Sequence, residues 1–208
     1  GTARRLADWC ADGPGAVRRR DRPLIVGTLP FPLLMRSKKR EASPLSGFPP
    51  IAHRGARLLI LGSMPGNASL AAGQYYAHPR NHFWPILGAI CGFDPEASYT
   101  RRKAALAAAG IALWDVIGSC VRQGSLDSAI DDESIVVNDF AEFLLTHTRV
   151  ARVCFNGRKA EAAWRRHVQR QLPPGCQPER QLLPSTSPAH AGMSYLDKLQ
   201  IWRSAIAC

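Results

Sequence analysis

The chain has 208 residues, enough for one α/β domain with a substantial core and too few for two. No apolar run approaches bilayer-spanning length and the first residues lack the apolar core of a secretory signal, so the sequence reads as soluble and cytoplasmic. A formal charge of +11 suits a polyanionic partner, while six scattered cysteines without a CxxC pair argue against a zinc site or an iron–sulfur cluster.

Residues 1–44 hold ten basic and four acidic side chains, five prolines and no sustained period, which predicts a basic, disordered extension. The domain is expected at 45–208. Such an arm either adds sequence-independent affinity for nucleic acid or is inert, and the inert reading is preferred. Its surplus of six positive charges leaves five for the remainder of the chain.

The run Arg57-Leu58-Leu59-Ile60-Leu61 reads as the first buried strand, ended by Gly62-Ser63-Met64-Pro65-Gly66. Ligands in open α/β sheets gather where such strands end. The string Gln74-Tyr75-Tyr76-Ala77-His78-Pro79-Arg80-Asn81-His82-Phe83-Trp84 follows. Aromatic faces stack on a flat ligand, amides and imidazoles hydrogen-bond its edge, and Arg80 can hold an anion. That combination suits a nucleobase attached to a phosphate chain.

Apolar spacing predicts a helix over 82–91, with Pro85 in its first turn and Asn81 at the N-cap. Ser98 caps a second helix that Gly110 ends. A strand is expected at 111–117, a loop with Gly124, Ser125 and Asp127, a helix over 138–146 and a strand at 150–155 that Asn156-Gly157 terminates. The helix at 158–171 should turn Ala160, Ala163, Trp164 and His167 inward. A strand at 180–183 leads into Pro184-Ser185-Thr186-Ser187-Pro188-Ala189-His190, and a last helix at 194–207 should bury Tyr195, Leu199, Trp202 and Ile206. Strands alternating with helices imply parallel pairing. The fold class is therefore α/β, a three-layer sandwich around a four-stranded parallel sheet.

The string GSMPG, its spacing to YYAHPRNHFW and the later LPSTSPAHA together resemble the uracil-DNA glycosylase superfamily, most closely its hypoxanthine-DNA glycosylase branch. The resemblance spans about four-fifths of the chain. It implies the same sandwich fold and a monofunctional enzyme that hydrolyses the N-glycosidic bond of deoxyinosine in base excision repair. By this match the catalytic residue is Asn81, whose amide either positions water or stabilises the departing base. Its structural alternative is the N-cap.

Gly62, Ser63, Met64, Tyr76, His78 and Asn156 are the expected base-binding residues. Tyr76 resembles the aromatic that stacks on the extruded base in mismatch-specific relatives, and Tyr75 reads as core. Met64 departs from the Asp or Asn that uracil-removing relatives place near this position, which points away from uracil. Arg80, Ser185, Thr186, Ser187 and His190 are the expected DNA contacts, with short hydroxyls suited to phosphate oxygens. Asn156-Gly157 and the Ser/Thr/Pro string are also ordinary turn sequences. Asp115 and Asp127 lie near the same sheet edge, and neither is assigned as the base. No cofactor or metal is expected. The partner is DNA containing deaminated bases, with no membrane, and the chain is expected to act as a monomer. The alternatives are a uracil or mismatch glycosylase, or a non-catalytic nucleic-acid-binding module of the same fold.

Overall fold

The computed structural model describes residues 43–206. The extension expected at 1–44 lies almost wholly outside them. A short strand β1 (Leu45–Ser46) precedes β2 (Leu58–Gly62), all five residues of which are buried. Helix α1 (Asn67–Ala72) follows, starting at Gly66 and stopped by Gly73 in the left-handed region. Six residues between Pro65-Gly66 and Gly73 are too few to display a helical period, so this helix has no clear signal in the sequence.

Helix α2 (Phe83–Cys91) carries Pro85 in its first turn, where a missing N–H costs nothing. Its N-cap is His82 rather than the expected Asn81. The Asn81 side chain acts one position earlier, Oδ1 accepting the Phe83 N–H at 3.0 Å. Helix α3 (Tyr99–Ala108) is capped by Ser98, whose hydroxyl accepts the Arg101 N–H. Gly110, at φ 74, turns the chain into β3 (Ile111–Asp115).

The strand expected at 111–117 divides at Val116. β3 stays in the parallel sheet, and the chain then bends into β4 (Ile117–Cys120), which pairs antiparallel with β1 and with β5 (Val136–Val137). The bend is fixed by main chain: Val116 N–H donates to Gly62 O at 2.9 Å and Ile117 N–H to Ser63 O at 3.0 Å. Val116 and Ile117 resume the apolar pattern directly after Asp115, so the sequence does not place the division at Val116.

Helix α4 (Phe140–Thr146), capped by Asp139, leads to β6 (Arg152–Asn156) and α5 (Arg158–Ala163). A π turn over Trp164–Val168 extends α5. The extra residue in that turn rotates the buried face by one position. Val168 is therefore buried, and His167, expected inward, is only half-buried. Strand β7 (Glu179–Leu183) and helix α6 (Tyr195–Ile206) complete the domain.

The parallel sheet has the order β3-β2-β6-β7, flanked by helices. Successive residues of a strand face opposite ways. Trp114 accordingly meets Phe140 and Phe143 of α4, and Trp164 joins the same cluster through Phe140 and Phe155. On the other face Phe83 packs edge-on against Trp84 and Trp202, uniting α2 with α6. Asp115, next in line after Trp114, points into this second layer beside Tyr76. Lys198, on the buried side of α6, is 1% exposed and donates to His190 O at 2.7 Å. Tyr195 and Leu199, expected in the core, are half-buried. Among the described residues no helix is long and apolar enough to cross a membrane.

Candidate active site

A cavity of about 480 Å³ opens at the C-terminal ends of β2, β3 and β6, facing the loop after β7. Its walls include Gly62, Ser63, Met64, Tyr76, His78 and Asn81 from the first half of the chain, and Asn156, Ser185, Ser187 and His190 from the second. Parallel strands end together, so two motifs a hundred residues apart come to face each other.

The motif after β2 is gripped from several sides. The Val116 and Ile117 amides hold its carbonyls, and the Arg122 guanidinium donates to Pro65 O at 2.6 Å and to Gly124 O at 2.9 Å. Ser63 Oγ donates to Asp127 at 2.7 Å, bringing a carboxylate from a distant loop to the cavity wall. Met64 is buried and lines the cavity. Gly62 needs to lack a side chain, because a Cβ there would run into the Asp115 carboxyl and stand 2.8 Å from the Tyr76 hydroxyl.

Tyr76 occupies the left-handed region at φ 53, a strained choice for a bulky residue. One face of its ring stacks on Phe83, with centroids 3.9 Å apart and planes at 19°. Tyr75 is buried, as expected, with its hydroxyl donating to the Phe48 and Pro49 carbonyls. His78 Nδ1 accepts the Arg80 N–H at 3.1 Å, so in the neutral ring the proton sits on Nε2. The backbone N–H that Asn81 receives can only be met by its amide oxygen. Its NH2 group is what remains to offer a ligand.

The second motif is knitted into three elements. Asn156 Oδ1 accepts the Thr186 N–H at 2.8 Å and its Nδ2 donates to Thr186 Oγ1 at 2.9 Å. Thr186 O in turn accepts the His82 N–H, and the Pro184 carbonyl accepts the Trp202 indole N–H. Gly157 at φ 101 approaches so closely that a Cβ would lie 3.0 Å from that of Ser185. Thr186 is fully buried, which corrects its expected role as a DNA contact: its hydroxyl is committed to Asn156 and it positions the loop. Arg80 is exposed and lies outside the cavity lining. Ser185 and Ser187 each accept a backbone N–H two residues on, which leaves both hydroxyl hydrogens free to donate.

Asp115, unassigned from sequence, lines the same cavity at 3% exposure, and among the described residues its Oδ2 has no hydrogen-bond partner. Burial pushes its pKa up to about 8, the nearby Asp127 charge adds to this, and Arg122 opposes it. Burial likewise raises the Tyr76 phenol, the neighbouring Asn156 amide opposing it, and among the described residues its oxygen makes no well-formed hydrogen bond. A signal existed in the sequence: an acid closing the wholly apolar run Ile111-Ala112-Leu113-Trp114.

The uracil DNA glycosylase superfamily model matches residues 49–205. A hypoxanthine DNA glycosylase of Methanosarcina barkeri (strain Fusaro / DSM 804) is 42% identical over 115 residues, which cover 55% of this chain and 72% of that protein. One of the same name from Methanosarcina acetivorans is 39% identical over the same shares. The solution NMR structure of a putative uracil DNA glycosylase from Methanosarcina acetivorans superimposes with a TM-score of 0.65 at 31% identity, covering 80% of this chain and all of that one.

Proposed function

The chain belongs to the uracil DNA glycosylase superfamily and is a DNA N-glycosylase, and from that premise we propose that the base it removes is hypoxanthine, hydrolysed from deoxyinosine. The observation that carries this reading is the convergence of Tyr76, Asn81 and the loop after β7 on one cavity, with the thioether of Met64 on its wall.

A base inside a duplex is out of reach of this cavity, so the nucleotide is swung out of the stack. The free hydroxyl hydrogens of Ser185 and Ser187 and the exposed His190 meet phosphate oxygens at the rim, and Arg80 adds charge beside it. The extruded base lies on the ring of Tyr76, whose far face is backed by Phe83. Such stacking contributes about 1–3 kcal/mol per base and does not choose among bases. The Asn81 NH2 group donates to the base as negative charge builds on it. Asp127, held by Ser63 Oγ, accepts the proton of the attacking water, work that Met64 cannot do.

The test is base release from duplexes containing deoxyinosine, deoxyuridine or thymine opposite guanine, with and without alkali. Strand breaks on deoxyinosine DNA should appear only after alkali. In Asn81→Ala the rate should fall by about 10²-fold or more, as for loss of a transition-state donor. Equal rates in the variant and the wild type would remove Asn81 from its role, and release of uracil alone would overturn the choice of base.

A further inference from the structure

Three residues from separate segments meet at the floor of the cavity. Among the described residues, Asp115 ends β3 with Oδ2 unpartnered, and Tyr76 brings a hydroxyl without a well-formed hydrogen bond from the turn before α2. Gly62 contributes an absence of side chain, since a Cβ there would strike both. Native folds seldom leave a buried polar atom unmet, and each such atom needs an explanation. Two of them, side by side in a cavity shaped for a nucleobase, are explained by a ligand with a polar edge.

The groups around the carboxyl do not neutralise it. Tyr75, from the same turn, spends its hydroxyl on the Phe48 and Pro49 carbonyls. Tyr99, at the start of α3, accepts the Tyr75 N–H. Asp127, from the loop after β4, is bound to Ser63, and Arg122 gives Nε and Nη2 to the Gly124 and Pro65 carbonyls while its Nη1 makes no hydrogen bond among the described residues. Among the described residues no cation bonds to Asp115, so burial and the neighbouring Asp127 charge outweigh the more distant pull of Arg122 and favour its protonated form. A neutral carboxylic acid has one hydrogen to donate, which a carboxylate lacks.

We propose that Asp115 is the general acid for the departing base: its carboxylic O–H meets the polar edge of the extruded purine and passes its proton to it. The inference rests on the hypoxanthine reading above. As the bond from C1′ to N9 breaks, the electron pair leaves with the purine and spreads over its ring nitrogens and oxygen. The Asp115 proton neutralises that charge, and hypoxanthine departs uncharged. Water bonds through oxygen to C1′ and loses a proton to Asp127. Solvent then returns a proton to Asp115 and takes one from Asp127, so no other reactant is needed. Asp115 and Asp127 are thus a pair of carboxyls given opposite tasks by their surroundings.

The experiment is single-turnover release of hypoxanthine, followed by chromatography of the free base, from about pH 5.5 to 9.5, for wild type and Asp115→Asn. The wild-type rate should fall about tenfold per pH unit above about pH 8 as Asp115 loses its proton, and it should fall separately on the acid side as Asp127, whose pKa burial raises, gains one. The Asn variant should be slower by about 10²–10⁴-fold and show no alkaline limb, because its amide does not titrate. A wild-type profile without the alkaline limb, or the same alkaline limb in the variant, overturns the inference while leaving the substrate reading intact. No hypoxanthine release by wild type at any pH overturns both. If the variant does not fold, the wild-type profile still decides, joined by the infrared band of a protonated carboxyl: its disappearance near pH 8 supports the inference, and its absence at pH 7 overturns it.

Discussion

A neutral Asp115 ties the stability of the fold to pH with a definite sign. Its carboxyl gains a proton near 8 in the folded chain and at 3.8 when free, so between those values the folded state binds more protons than the unfolded one. Stability contributed by this group therefore falls as pH rises through that window, by up to about 1.4 kcal/mol per pH unit. Asp115→Asn abolishes the effect. The variant and the wild type should differ by a roughly constant melting temperature below pH 4, and the advantage of the variant should widen up to pH 8 before levelling off. A difference that stayed constant across that range would mean that the carboxyl ionises where it stands. The placing of Asn81 and Tyr76 on one cavity wall was legible in the sequence because they sit in a compact string. The protonation of Asp115 was not, because it depends on Gly62 and Tyr76 arriving beside it from elsewhere in the chain.

At the scale of elements, the loop after β7 is held in place by three neighbouring elements. β6 supplies Asn156, α2 offers the His82 amide, and α6 contributes Trp202 and Lys198. Thr186→Val keeps the shape and the backbone bond to Asn156 but leaves Asn156 Nδ2 without its acceptor. It should cost about 1–3 kcal/mol in urea denaturation, with weaker DNA binding as the rim loosens. A variant as stable as wild type would show that Asn156 finds another partner. The longer helices and the strands of the parallel sheet were readable from apolar period, from the cap Ser98 and from Gly110, whereas α1 and the short strands β1 and β5 were not. What escaped was set by tertiary contact: the bend at Val116, the π turn after Ala163 and the burial of Lys198 against a carbonyl of another segment.

For the whole molecule, attraction to DNA is a matter of charge and therefore of salt. Arg80 stands outside the cavity, exposed, and the cost of losing it should be independent of base. Arg80→Ala should weaken binding to damaged and undamaged duplexes alike and reduce the slope of log affinity against log salt by about one. An unchanged slope would take Arg80 off the phosphates. The α/β class and the meeting of two motifs at one sheet edge followed from the order of strands and helices, because parallel strands place all their C-terminal ends together. The depth of the cavity did not, since it is shaped by a missing side chain at Gly62. The bend of β3 into β4 carries a wider consequence. Val116 and Ile117 hold the first motif by its carbonyls, so the main-chain grip at 62 and 63 uses no side chain of the motif. Such a socket separates the backbone that sets where the motif lies from the side chains that decide what it can do there, so the frame and the chemistry answer to different residues.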